Sequence, residues 1–122
     1  MMLISKQRGN LGEELVAKKL KKEGYTVLTK NYRKRTGEVD LIVKNKKNLI
    51  FVEVKTRTST KIDLAEMVRP SQQKKIISAA HCYIAENRIT DLTYRFDVAL
   101  VDMSKEKSVI TYISNAFQAS EY

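Results

Sequence analysis

Apolar residues follow two different rhythms along the chain. From Asn10 to Glu23, Leu11, Leu15, Val16 and Leu20 fall on one face of a 3.6-residue repeat, and Gly24 suits the C-terminal cap. A first helix is predicted there. The rhythm then shortens to two: Tyr25–Tyr32, Glu38–Val43 after Gly37, and Leu49–Arg57 read as three successive strands. The polar run Lys44-Asn45-Lys46-Lys47-Asn48 separates the second strand from the third. Thr56–Arg69 is polar and signals no more than a short turn around Leu64–Val68. Pro70 then opens a second helix with Ile76, Ile77, Ala80 and Ile84 on one side. Tyr94–Asp102 and Ser108–Ser114 complete the pattern as strands. The order αβββαββ predicts a mixed α/β domain over residues 1–122, with no repeat, linker or low-complexity tract.

The third strand, Leu49-Ile50-Phe51-Val52-Glu53-Val54-Lys55-Thr56-Arg57, carries charge in an apolar setting. Side chains alternate faces along a strand, so Ile50, Val52 and Val54 share one face and Phe51, Glu53, Lys55 and Arg57 the other. If Asn45–Asn48 is the tip of a symmetric hairpin, facing residues have numbers summing to 93. That opposes Asp40 to Glu53, Ile42 to Phe51 and Glu38 to Lys55. Opposed side chains have Cβ atoms about 4.5–5.5 Å apart, where like charges are destabilising. Two carboxylates so placed call for a proton or a cation between them. Oxygen-only ligands favour Mg²⁺ or Mn²⁺ over zinc. The competing reading is an ordinary solvated cluster of Asp40, Glu53 and Lys55 on an open sheet face.

Charge adds a partner class. The chain's 122 residues hold 23 Lys+Arg and 14 Asp+Glu, a net charge of +9. The excess is confined to residues 1–75, with 19 basic and 8 acidic side chains against 4 and 6 thereafter. Clusters at Lys18, Lys19, Lys21 and Lys22 and at Lys30, Arg33, Lys34 and Arg35 suit phosphate neutralisation. The lysines at helical spacing also fit a plain solvated face. Lys18, Lys22, Arg33, Arg35, Arg57 and Lys74 are the expected phosphate contacts, with Gln73 as a hydrogen-bonding neighbour. The single cysteine, Cys82, leaves no internal disulfide, and no Cys/His cluster suits a structural zinc. His81 and Cys82 fall in an Ala/Ile-rich helix and read as packing residues. A short N-terminal apolar run and the absence of any long apolar stretch argue against a signal peptide or membrane span, so a cytoplasmic location is expected.

Gly37-Glu38-Val39-Asp40-Leu41-Ile42 followed by Phe51-Val52-Glu53-Val54-Lys55-Thr56-Arg57 resembles the D-x(n)-E-x-K core of the PD-(D/E)XK nuclease superfamily, with Val39 where the wider superfamily has proline. More narrowly, the chain is similar to the YraN family of small bacterial proteins. That likeness extends over Arg8-Gly9-Asn10-Leu11-Gly12-Glu13-Glu14, Gly24-Tyr25, Asn31-Tyr32-Arg33, Gln73-Lys74, Ala79-Ala80 with Tyr83, and Arg95-Phe96-Asp97-Val98. The resemblance implies a restriction-endonuclease-like αβββαβ core, a mixed central sheet flanked by helices, with one extra C-terminal strand. It implies Asp40 and Glu53 as ligands of Mg²⁺ or Mn²⁺ and Lys55 as the catalytic lysine. The related Holliday-junction resolvases carry a first-helix glutamate four residues after a glycine. Gly9 and Glu13 fit that spacing and make Glu13 a third metal-ligand candidate, with Glu14 the alternative. The implied activity is hydrolysis of DNA phosphodiester bonds, with branched or single-stranded DNA in repair or recombination as the expected substrate. A nucleic-acid-binding module of the same fold without turnover, and a protein-interaction adaptor, are the competing functions. A homodimer stays open, and no membrane partner is expected.

Overall fold

The computed structural model describes residues 3–58 and 68–119. Its elements are α1 (Ser5–Lys22), β1 (Thr26–Lys34), β2 (Gly37–Lys44), β3 (Asn48–Arg57), α2 (Pro70–Glu86), β4 (Thr93–Asp102) and β5 (Val109–Phe117). The predicted order is the observed one. The turn expected around Leu64–Val68 lies, but for Val68, outside the described residues.

The largest departures from the predicted boundaries, at the start of α1 and the end of β5, each arise through contacts that periodicity does not register, while β1 runs on past Tyr32 to Lys34. α1 starts at Ser5 rather than Asn10 because polar side chains organise its first turn. Gln7 Oε1 accepts from the Ile4 N–H at 3.1 Å, and Arg8 donates to the Leu3 carbonyl at 2.6 Å and to Ser5 Oγ at 3.1 Å. β5 continues past Ser114 to Phe117 because Asn115 N–H is bound by Asp97 on β4 and the Phe117 ring stacks on Phe96, with centroids 5.0 Å apart.

The five strands form one sheet in sequence order. β1, β2 and β3 pair antiparallel, α2 carries the chain over to β4 parallel to β3, and β5 returns antiparallel. Helices cover both faces, which explains why Leu49 to Val54 are all buried. α1 packs Val16, Ala17 and Leu20 on Leu41, Val43, Ile50, Val52 and Val54. α2 packs Ile76, Ala79 and Ala80 on Ile42, Phe51, Phe96 and Val98. Two glycines let the helices approach this closely. A Cβ at Gly37 would lie 1.9 Å from the Lys75 carbonyl oxygen, and one at Gly12 would lie 2.3 Å from Thr56 Oγ1. Among the described residues, no helix is long and apolar enough to cross a membrane.

Candidate active site

The site forms where the regular pairing of β2 with β3 stops. Lys44↔Leu49, Val43↔Ile50, Ile42↔Phe51 and Leu41↔Val52 keep the register whose numbers sum to 93. Asn45 fixes that register without an Asn-Gly turn. Its Oδ1 accepts from the N–H groups of Lys47 at 3.0 Å and Asn48 at 2.8 Å, and its own N–H donates to the Asn48 carbonyl. Beyond Leu41 the strands part. Asp40 turns its carboxylate into the gap, where Oδ2 accepts the Val54 N–H at 2.8 Å.

Alternation of faces fails at the same residue. Val39 packs on the α2 side and Leu41 on the α1 side, so the strand switches faces across Asp40. On the neighbouring strand Lys30↔Leu41 and Tyr32↔Val39 are paired, leaving Asn31 beside Asp40 with φ of 53°. A left-handed residue inside a strand is uncommon, and asparagine is among the few side chains that tolerate it. The interruption lets Asp40 meet acids from both sides of the sheet.

Glu53, only 8% exposed, faces Asp40. Burial, followed by the neighbouring Asp40 carboxylate, pushes its pKa up to about 9, with the Lys55 charge acting in the opposite direction. Glu13 reaches the site from α1; burial and then the Asp40 charge raise its pKa, while the Asn31 amide pulls it down. Glu14 is exposed on the same helix. The structure thus sets Glu53 against Asp40, places Glu13 within reach of the Asp40 charge, and leaves Glu14 exposed on α1.

The expected Glu38–Lys55 opposition does not form, because the β2–β3 ladder ends before it. Glu38 instead pairs with Arg33 of β1 at 3.0 Å. Lys55 Nζ donates to Gln72 Oε1 at 3.0 Å, and Gln72 Nε2 donates to Glu53 Oε2 at 3.1 Å. The residue that links Lys55 to Glu53 is Gln72, which the sequence analysis does not single out; the neighbour it names is Gln73. The latter donates to the Val68 carbonyl at 2.9 Å instead. A signal was available: Gln72 stands one helical turn before Ile76, which is buried, whereas Gln73 stands one turn before the half-buried Ile77.

The basic residues divide among separate surfaces. Arg33 and Arg35 line, with Lys75 and Gln72, a cleft of about 530 Å³ that contains Glu53. Arg57 lines a second cleft of about 390 Å³ with Arg8 and Lys55. Lys18 and Lys22 border a shallow depression on the outer side of α1 together with Leu15. Lys74 is exposed on α2, and its neighbour Lys75 is the one that lines the Glu53 cleft. His81 is exposed, its ring edge-on to Tyr94 at 6.1 Å, so it is not the packing residue expected; Cys82 is half-buried.

A second buried carboxylate lies on β4. Asp97 is fully buried and accepts from Arg95 Nε at 3.0 Å, from the Tyr112 hydroxyl at 2.6 Å and from the Asn115 N–H at 2.8 Å. Its carboxylate raises the pKa of Arg95, and burial together with that same carboxylate raises that of Tyr112. Every part of this group is satisfied, and it ties β4 to β5.

Among the described residues no set of three or more His, Cys, Asp or Glu side chains is close enough to hold an ion unaided. Two carboxylates are nonetheless the usual protein contribution for Mg²⁺, which keeps several waters and takes further oxygens from a phosphate substrate. A buried carboxyl that faces a second carboxylate, its pKa raised by burial and then by that neighbour, has the chemistry that such an ion would relieve. The Asp40–Glu53 pair fits a hard divalent cation.

The family described as "Uncharacterised protein family UPF0102" matches residues 12–101, a span that includes Glu13, Asn31, Asp40, Glu53, Lys55, Gln72 and Asp97. A UPF0102 protein of Caldanaerobacter subterraneus subsp. tengcongensis is 41% identical over 113 residues, covering 89% of this chain and 93% of the relative. One from Alkaliphilus metalliredigens is 41% identical over 93% of this chain and all of its own length. One from Clostridium acetobutylicum is 40% identical over 97% of this chain and 99% of the relative. With the family match covering most of the chain and relatives of similar length aligning almost end to end, the chain belongs to the UPF0102 family.

Proposed function

We propose that the protein is a metal-dependent nuclease that hydrolyses DNA phosphodiester bonds at the gap between β2 and β3. The observation that carries this reading is the buried Glu53 facing Asp40 at the edge of a cleft lined by Arg33, Arg35 and Lys75, with Lys55 linked to Glu53 through Gln72. Asp40 and Glu53 would hold Mg²⁺ or Mn²⁺, with Glu13 supporting from α1. When bound there, the ion supplies Lewis acidity that polarises the scissile phosphate and eases deprotonation of water.

The chain's own groups do the rest. Arg33, Arg35 and Lys75 on one side and Arg57 on the other neutralise backbone phosphates without reading bases. They seat the strand with one phosphate over the carboxylates. Water attacks phosphorus, the bond to the leaving sugar oxygen breaks, and a phosphomonoester and a free hydroxyl result. Negative charge accumulates on the non-bridging oxygens during this displacement. The Lys55 ammonium, a compact charge on the same strand face as Glu53, would stabilise it.

The test is incubation of the purified protein with circular single-stranded, linear duplex and branched DNA, in Mn²⁺, Mg²⁺ or EDTA. Cleavage that needs the metal and is lost in Asp40→Asn is the expected result. DNA retention in EDTA without cleavage under any condition would instead assign a binding module, and neither retention nor cleavage would assign an adaptor.

A further inference from the structure

Glu53 and Lys55, an acid and a base, stand two residues apart on one strand face, yet among the described residues they form no direct ion pair. The Gln72 amide stands between them, donating to Glu53 Oε2 at 3.1 Å and accepting from Lys55 Nζ at 3.0 Å. A direct salt bridge would use up both groups, leaving a neutralised carboxylate and an ammonium turned away from any phosphate. A neutral amide offers a donor and an acceptor on one rigid plane. It satisfies one oxygen and one proton while leaving the second Glu53 oxygen and the Lys55 charge available.

Gln72 is also anchored well enough to orient what it touches. It lies in the first turn of α2 after Pro70, one turn before the buried Ile76. The same helix presses its Lys75 carbonyl against Gly37, where no side chain fits. A flexible lysine and a glutamate are therefore held from a fixed element across the cleft.

We propose that Gln72 is a positioning residue that keeps the Glu53 carboxylate oriented as a ligand and the Lys55 ammonium as a free charge for the phosphate. This inference rests on the nuclease reading of the same site. Outer hydrogen bonds to ligating carboxylates typically change metal affinity or activity by about 10–100-fold when removed.

The experiment compares wild type with Gln72→Met, which keeps length and loses both hydrogen bonds. Three quantities are measured: Mn²⁺ affinity by calorimetry, cleavage rate at saturating Mn²⁺, and melting temperature and DNA retention in EDTA. The expected result is a Kd for Mn²⁺ raised about 10–100-fold. A loss of cleavage of about tenfold or more should persist at saturating Mn²⁺, with melting temperature and DNA retention in EDTA unchanged. Gln72→Asn, which keeps the amide one methylene short, should give the same split and provides the second variant if the first does not fold. Wild-type Mn²⁺ affinity and cleavage in Gln72→Met would overturn the inference and leave the nuclease reading intact. A cleavage loss that comes only with a lowered melting temperature in EDTA would assign Gln72 a structural role and overturn it too. Failure of the wild type itself to bind Mn²⁺ and to cleave would remove both readings.

Discussion

Glu53 and Asp97 are the two buried charged residues among those described, and they are solved in opposite ways. Asp97 receives a guanidinium, a hydroxyl and a backbone N–H, so its charge is matched on every side. Glu53 receives one amide and faces another carboxylate. Burying a charge is costly unless it is paired and hydrogen-bonded. The first arrangement holds strands together; the second leaves electrostatic tension that a cation or a proton relieves. Burial alone does not distinguish structure from site. The completeness of the partner set does.

The largest effect separating them should be on stability. Asp97→Ala leaves Arg95 and the Asn115 N–H without their partner and should cost about 3–5 kcal/mol by urea denaturation. Glu53→Gln in EDTA should cost nothing and raise stability, because it removes a carboxylate facing Asp40. Equal losses in the two variants would break the comparison.

Next in size is the catalytic charge. Lys55→Met should lower cleavage by about two to three orders of magnitude, the usual loss for one electrostatic stabiliser. Its contact is with Gln72, so raising Mn²⁺ should not restore the rate. Full activity of the variant would remove Lys55 from the chemistry.

Metal and proton should compete for the Glu53 side of the comparison. Mn²⁺ at about 100 times its Kd should stabilise the protein by about 2.7 kcal/mol, an effect absent in the Asp40→Asn, Glu53→Gln double variant. Without metal, Glu53 binds its proton more tightly folded, near pH 9, than unfolded, near 4.5. Its contribution is therefore fully present below about pH 4.5 and is lost as pH rises through about 9, with a slope of at most about 1.4 kcal/mol per unit. Urea midpoints from pH 5 to 9 in EDTA should fall more steeply for wild type than for Glu53→Gln, and parallel curves would refute the assignment.

The smallest effect concerns the surroundings of the two carboxylates. Arg33 and Arg35 border the Glu53 cleft, whereas Lys105 and Lys107 lie in the β4–β5 connection on the Asp97 side of the sheet. Charge reversal at Arg33 and Arg35 should flatten the dependence of log K on log salt by roughly 0.9 per lost duplex phosphate contact. Reversal at Lys105 and Lys107 should leave the slope alone. Reversal at Lys18 and Lys22 decides whether the α1 surface adds contacts of its own.

Much of the fold was legible because its signals are local. The spacing of Leu11, Leu15, Val16 and Leu20 marks the buried side of α1, and the apolar stretch Leu49–Val52 marks β3 as a strand; its cover on both faces comes from the two helices. The β2–β3 register was legible because a symmetric hairpin has only one, and Asn45 closes it with its own side chain. Gln72, Asp97 and the position of His81 were not. Gln72 meets partners 17 and 19 residues away, and Asp97 meets Tyr112 and Asn115 across a strand pair. No short-range periodicity encodes such meetings.

The sequence by itself determined the element order, the faces of β3, the confinement of positive charge to the first 75 residues and the proximity of Asp40 to Glu53. These follow from alternation, helical repeat and a short turn, all set within a few residues. Only the tertiary structure decided that the pairing breaks at Asp40, that Glu13 reaches it from the opposite face and that Lys55 answers to Gln72 rather than Glu38. It also separated Lys18 and Lys22 from the cleft that holds Arg33 and Arg35. The physical reason is that electrostatic partnership depends on distance and burial in three dimensions. Those are fixed only when both helices close on the sheet, against Gly12 on one face and Gly37 on the other.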